Sequence, residues 1–253
     1  VVVAGNPGPL TGPGTNSYLV GRERLAVIDP GPEDETHLRA LLEAAGTGRI
    51  THILLTHHHA DHAGGAEALA RRSGAPVLDA ASLADGQVVE EAEWRLEAVA
   101  TPGHTRDHFC FALGGAGALF SGDHVMGWAS SMIAWPDGRM GEYLASLDRL
   151  LARPETLYLP GHGAPIADGK ARVRELREHR KAREEAILAQ VRAGEQSVSG
   201  IVRAIYPPLE RRLFQAAELS VLAHLEHLTE LGLVSIEGKA GSSARFSAVR
   251  APA

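Results

Sequence analysis

Five of the thirteen histidines in this 253-residue chain fall between positions 52 and 62. The run Thr56-His57-His58-His59-Ala60-Asp61-His62 follows the short apolar segment HILLT (52–56) and leads into a helical pattern. It therefore sits where a buried strand hands over to a helix, and a loop there can turn several side chains into one cleft without breaking a backbone ladder. Imidazole nitrogen and carboxylate oxygen together suit a borderline divalent cation such as Zn²⁺, and no cysteine stands nearby to make the site thiolate-rich. Four candidate ligands (His57, His59, Asp61, His62) within six residues crowd a single tetrahedral ion, which argues for two. Three further candidates are His104 in TPGHT (101–105), Asp123 in FSGDH (120–124) and His162 in LPGHG (159–163). Each directly follows a glycine, which lets the backbone come close and re-aims the side chain. Two cations about 3.5–4 Å apart bring the pKa of a bridging water from about 15.7 towards 7, and the hydroxide so formed can attack a carbonyl carbon or a phosphorus.

The elements that must hold these groups alternate between period-two and helical patterns. Strands are expected at SYLV (17–20) and LAVID (25–29), joined by a turn at Gly21-Arg22, and at 52–56, 94–101, 108–113, 118–121 and 156–160. Helices are expected at 33–46, from Asp61/His62 onward with Ala66, Leu69 and Ala70 on one side, and at 141–152. After Pro165 the texture changes. A long charged helix over 169–193 carries Val173, Leu176, Ile187, Leu188 and Val191 as its apolar side. Helices at 197–205 and 212–231, separated by Pro207-Pro208, and a hairpin over 233–249 complete a winged-helix pattern. Ile201, Ile205, Leu213, Leu219, Leu222 and Leu225 are its expected core.

A chain that is 44% hydrophobic can bury a full core. The single cysteine, Cys110, excludes an intrachain disulfide and fits a reducing compartment. No apolar run approaches the roughly 20 residues that span a bilayer, so no membrane partner is expected. The opening VVVAGNPGPL lacks the pattern of a secretory signal, and the expected location is the cytoplasm, although the sequence does not begin with Met. Charge is uneven. Residues 1–169 hold 11 basic against 21 acidic side chains, and residues 170–253 hold 14 against 10. An acidic body and a basic tail suggest two modules.

The order H-x-H-x-D-H, then a lone His, a lone Asp and a lone His, resembles the metallo-β-lactamase superfamily over residues 1–170. The resemblance implies an α/β fold, a four-layer αββα sandwich with the site along one edge, followed here by a small winged-helix domain over 171–253. It implies that His57, His59 and His104 hold one metal, that Asp61, His62 and His162 hold the other, and that Asp123 bridges both. The runs NPGPLTGPGTNSYLVG, TPGHTRDH, SGDHVMG, PGHG and HRKAREEAI, with the winged helix, are similar to the β-lactamase-like protein 2 group. That group includes endoribonucleases for single-stranded RNA and thioesterase relatives.

Three functions follow as expectations. The first is a dinuclear zinc hydrolase, with manganese or iron as alternatives, acting on ester, thioester or lactone small molecules or acyl groups, with weak β-lactam hydrolysis as a side activity. Asp61 and Asp123 are its catalytic carboxylates, and Asp61 is the candidate to move a proton. The second is cleavage of single-stranded RNA, motivated by the basic tail. The third is a nucleic-acid-binding or regulatory winged helix with a metal-sensing domain. Oligomeric state and native substrate have no signature. Asp29, backed by Thr56 and Thr105, is the candidate to orient the ligating imidazoles, with a turn before Pro30-Gly31 as its alternative role. His37, His52, His224 and His227 read as structural, and His108 and His124 as possible cleft-lining groups. Trp128, Met132 and Trp135 in the 127–140 loop read as a substrate wall or an oligomer contact.

Overall fold

The computed structural model describes residues 1–239 and 241–249; the last part of the expected 171–253 module and Ala240 in its hairpin lie outside the described residues. Two compact units form. The first comprises Val1–Thr101, Asp107–Ser131 and Ala152–Arg172, and the second comprises Pro102–Arg106, Met132–Leu151 and the chain from Val173 onward.

The first unit holds two five-stranded mixed sheets. One contains β1 (Val2–Val3), β2 (Asn16–Val20), β3 (Arg24–Ile28), β4 (Arg49–Leu54) and β5 (Val77–Leu78) in sequence order. The other contains β6 (Val88–Glu91), β7 (Trp94–Ala100), β8 (Phe109–Leu113), β9 (Ala118–Gly122) and β10 (Leu157–Pro160). Side-chain alternation explains their stacking. Tyr18, Ala26, Ile28 and Leu54 of the first sheet meet Trp94, Leu96, Ala98, Phe109, Phe111 and Phe120 of the second in one buried cluster. The opposite face of the first sheet presents Leu25, Val27, Ile50 and Ile53 to α1 (Glu35–Ala45) and α3 (Ala66–Ser73), which contribute Leu38, Leu41 and Leu69. Asp34 caps α1 by accepting from the His37 amide at 2.7 Å.

The helix expected from Asp61 onward is broken. A short α2 (Ala60–Ala63) ends at Gly64-Gly65 before α3 begins. A Cβ at Gly64 would stand 2.5 Å from the Ala60 carbonyl and 2.8 Å from the Glu33 amide, and the Gly65 amide bonds the Gly31 carbonyl. The 30–33 loop presses into the helix there, and only glycines leave it room. Strand β4 ends at Leu54 rather than Thr56, because the Thr56 amide bonds the Asp29 carboxylate at 2.8 Å instead of a neighbouring strand.

The second unit contains α4 (Met140–Ala152), most of α5 (Gly169–Arg192), α6 (Val198–Ile205), α7 (Arg211–Glu230) and the hairpin β11 (Val234–Glu237)–β12 (Arg245–Ala248). Ile187, Val191, Ile201, Val202, Val221, Leu222, Leu225, Leu228, Val234 and Phe246 form its core. Ile205 and Leu219 pack against that core half-buried, whereas Leu213 is 46% exposed and belongs to no core, because it lies on the outer side of the first turn of α7. Among the described residues no helix is long and apolar enough to cross a membrane.

Candidate metal centre

Six of the seven expected ligands lie in the first unit and converge there. His57 and His59 stand on the loop leaving β4, Asp61 and His62 in α2, Asp123 just after β9, and His162 just after β10. His57 Nε2 is 2.9 Å from His59 Nδ1, and His62 Nε2 is 3.2 Å from His162 Nε2. Asp123 Oδ1 lies 3.4 Å from both His62 Nε2 and His162 Nε2, and Asp61 Oδ2 lies 3.3 Å from His162 Nε2. Two overlapping sets, His57-His62-Asp123 and Asp61-His62-His162, bring their ligand atoms within 4.8 Å of one another. His104 stands on the 102–106 segment of the second unit, where its Nδ1 donates to the Met132 carbonyl at 2.6 Å.

The groups behind the ligands fix which nitrogen of each ring faces inward. The Asp29 carboxylate accepts from the Thr56 amide, from Thr56 Oγ1 at 2.7 Å and from His62 Nδ1 at 2.8 Å. With its proton committed to Asp29, Thr56 Oγ1 can only accept from His57 Nδ1, 2.9 Å away. His162 Nδ1 donates to the Gly14 carbonyl at 3.1 Å. Each of these rings therefore carries its proton on Nδ1 and turns the Nε2 lone pair into the cluster. Two such lone pairs 3.2 Å apart repel unless a cation or proton lies between them, so the donor set fits divalent metal. Metals also suit the local charge. Burial by itself would depress His62, yet Asp123 and Asp29 hold it well above the usual histidine range. Burial likewise opposes protonation of His162, and Asp123 and Asp61 raise it to about 9. Asp123, despite burial, is held well below the usual carboxylate range by His62 and His162, and Asp61 is lowered despite burial by His162 and His62.

Asp29 thus orients the site and also turns the chain, since its φ of 53° places a non-glycine residue in the left-handed region. Thr105 lies on the second unit. Sequence reasoning missed Asn16, whose amide donates to the Pro160 carbonyl at 2.9 Å and the Gly163 carbonyl at 2.8 Å, clamping the loop that carries His162. Gly161 is required more strictly than expected: a Cβ there would come within 2.6 Å of His62 Cε1 and 2.7 Å of Asp123 Oδ1.

Other expected groups sort differently. His108 is buried behind the ligands, with Nδ1 2.9 Å from Thr101 Oγ1 and its ring 5.3 Å from that of His57, and His124 is fully buried beside it. His58 pairs with Asp107 at 2.9 Å. Trp128, 46% exposed, rests its indole over Gly12 and Gly163 in the first unit. Trp135 packs half-buried against the second unit's core, with Nε1 donating to Glu226 at 3.3 Å, and lines a cavity there with Leu222 and Phe246. Cys110 is buried core, as expected.

Residues 10–84 and 78–162 match the metallo-β-lactamase superfamily, and residues 197–242 match the β-lactamase-associated winged-helix domain. The lactamase-like protein adaB of Aspergillus niger is 33% identical over 100% of this chain and 86% of its own length. An atrochrysone carboxyl ACP thioesterase of Claviceps purpurea is 33% identical over 81% of this chain and 71% of its own. A solved metallo-β-lactamase family protein of Thermus thermophilus superposes with a TM-score of 0.78 and 28% identity over 98% of this chain and 97% of that one. The paired mixed sheets with their helices and the C-terminal winged helix thus match the expected architecture. By fold, motif order and near-complete coverage, the chain belongs to the metallo-β-lactamase superfamily and is a metal-dependent hydrolase.

Proposed function

We propose that this hydrolase cleaves acyl thioesters at a dinuclear, zinc-type centre held by His57, His59 and His104 on one side, Asp61, His62 and His162 on the other, and Asp123 between them. The observation that carries the reading is the inward-facing set of nitrogens fixed by Asp29, Thr56 and Gly14, on a chain whose relatives include carrier-protein thioesterases. A pair of divalent cations in this nest supplies Lewis-acid polarisation of a carbonyl and water of lowered pKa. The rest falls to the protein. Asp29 and Thr56 hold His62 and His57 in one tautomer, so no reorganisation is needed as charge develops. Asp61 is 29% exposed at its side chain, reaches the same point as His162, and is the group placed to take the proton from an attacking water. A thiolate leaving group has an ordinary pKa near about 8.5 and departs without a dedicated acid, which an alkoxide or amide nitrogen would need.

Esters and lactones are secondary substrates in this reading, and β-lactam cleavage is a side activity. The basic tail supports RNA less well than its composition suggests. Arg177 is spent on Asp148, Arg180 is buried over the Tyr143 ring, and Arg183 stacks on Tyr206 at 4.2 Å. The test is a panel run on zinc-, manganese- and iron-loaded protein with N-acetylcysteamine thioesters, a lactone, a cephalosporin and single-stranded RNA. Thioester cleavage should lead, and faster RNA cleavage would replace this reading with the nuclease one.

A further inference from the structure

Beside the ligands lies a cavity of about 540 Å³, within the size range of small-ligand sites, lined by Leu55, His57, His58, Ala63, Asp79, Ala80, Ala81 and Asp107. All these residues belong to the first unit. The cavity abuts the metal nest through shared side chains. His57 turns Nε2 toward His59 while its ring forms part of the cavity wall, and the His58 ring stands 5.0 Å from the His59 ring. The lining is mostly apolar, and the three alanines at 63, 80 and 81 leave the volume open where larger side chains would fill it. Its charged groups are Asp79 and Asp107, with no lysine or arginine among the lining residues. Asp79 is pinned by its own turn, accepting from the Ala81 and Ser82 amides, and Asp107 is held by His58.

We infer that this cavity seats the acyl group of the substrate, that it takes an uncharged acyl chain or ring of medium size, and that the carboxylates Asp79 and Asp107 exclude anionic acyl groups. The inference rests on the thioesterase reading and deepens it by naming the acyl class. An alkyl chain of six to eight carbons fits a space of this volume and gains from each methylene it takes out of water. A terminal carboxylate or a phosphate entering the same space meets the carboxylates Asp79 and Asp107, with no lysine or arginine among the lining side chains to receive it. The His58–Asp107 pair positions the rim. It acts on which substrate is held, not on the bond that breaks.

The test uses the full metal-loaded chain and acetyl, butanoyl, octanoyl and succinyl thioesters of N-acetylcysteamine. Wild-type protein should prefer octanoyl to acetyl in KM and butanoyl over succinyl in kcat/KM, each by about tenfold or more. Ala81→Trp, on the exposed rim, should raise KM for octanoyl by about tenfold and leave acetyl within about twofold. Asp107→Asn should narrow the butanoyl-to-succinyl gap. Calorimetric binding of the octanoyl analogue with a methylene in place of sulfur gives a readout that needs no turnover, and its Kd should rise in Ala81→Trp. Equal losses for acetyl and octanoyl, an unchanged Kd in Ala81→Trp, or a butanoyl-to-succinyl gap that Asp107→Asn leaves alone would overturn the inference. If no thioester is cleaved, the thioesterase reading fails while the calorimetry still decides the cavity.

Discussion

The molecule contains two clusters built from the same residue types, and they end in opposite chemistry. In the first unit, His57, His62 and His162 each commit Nδ1 to an acceptor behind them and leave Nε2 facing a common point. In the second unit, His224 and His227 on α7 both turn Nδ1 onto one carboxylate, Glu184 of α5, at 3.4 and 2.8 Å. There the imidazoles close on their own counter-charge. Glu184 is lowered to about 2: burial opposes this, and the two histidines outweigh it. No set with metal-ligand spacing forms around it among the described residues. What separates a metal nest from an ion cluster is therefore not histidine count. It is whether acceptors stand behind the rings or in front of them.

The largest expected effect tests the nest itself. Asp123→Ala should reduce kcat/KM by more than about a thousandfold, roughly 4 kcal/mol of transition-state stabilisation, and lower the metal bound per chain measured by mass spectrometry. Near-normal activity and metal content would break the claim that the converging set is a working site. Next comes the group behind the rings. Asp29→Asn keeps the shape of the side chain but weakens the acceptor that fixes His62 and Thr56, and metal affinity should fall by about 10- to 100-fold. If chelator titration gives the wild-type affinity, the orientation argument is wrong even though the ligands are right.

These two residues also show what could be read from sequence. The residue types of the candidate site and their order were legible because H-x-H-x-D-H compresses four groups into one loop, and the lone His104, Asp123 and His162 each follow a glycine. Asp29 was half-legible: a strand-end acid before Pro-Gly fits a turn as well as an orienting group, and it turned out to do both. Asn16 was illegible, because its partners are carbonyls at 160 and 163, far away in sequence. The same limit applies to the fold. β7 was readable from its alternation and β8 from its short continuous apolar run, while the two-residue β1 and β5 carry no period to read. The fate of His224 and His227 was readable only as structural, since the acid that closes on them lies 40 and 43 residues away on another helix.

A smaller effect sharpens the other side of the comparison. Glu184→Gln removes the charge on which two imidazoles close, and it should cost about 1–3 kcal/mol in the denaturation of the second unit. Metal content and kcat should remain within about twofold of wild type. Loss of bound metal in this variant would mean that the two clusters are not independent.

The smallest effect is a pH profile, and its two limbs belong to different histidines. Burial lowers His224 to about 4, with Glu184 only partly opposing. A depressed histidine means that the unfolded chain takes up a proton, at its ordinary pKa near about 6.5, before the folded chain does. Stability from His224 is therefore complete above about pH 6.5 and declines as pH falls toward 4, by at most about 3 kcal/mol. His227 is raised, first by its bond to Glu184 and against burial. Its contribution is complete below about pH 6.5 and is lost as pH rises through its raised value. Glu184, lowered to about 2, adds a further loss only below about pH 4.5. Stability of the second unit should thus be greatest near pH 6.5 and fall on both sides. His224→Gln should flatten the acid limb between pH 6.5 and 4, and His227→Gln the alkaline limb, as read from urea midpoints across the range. A profile in which one substitution flattens both limbs would show that the two imidazoles titrate as a single group. The carboxylate between them would then hold one shared proton instead of one charged and one neutral ring.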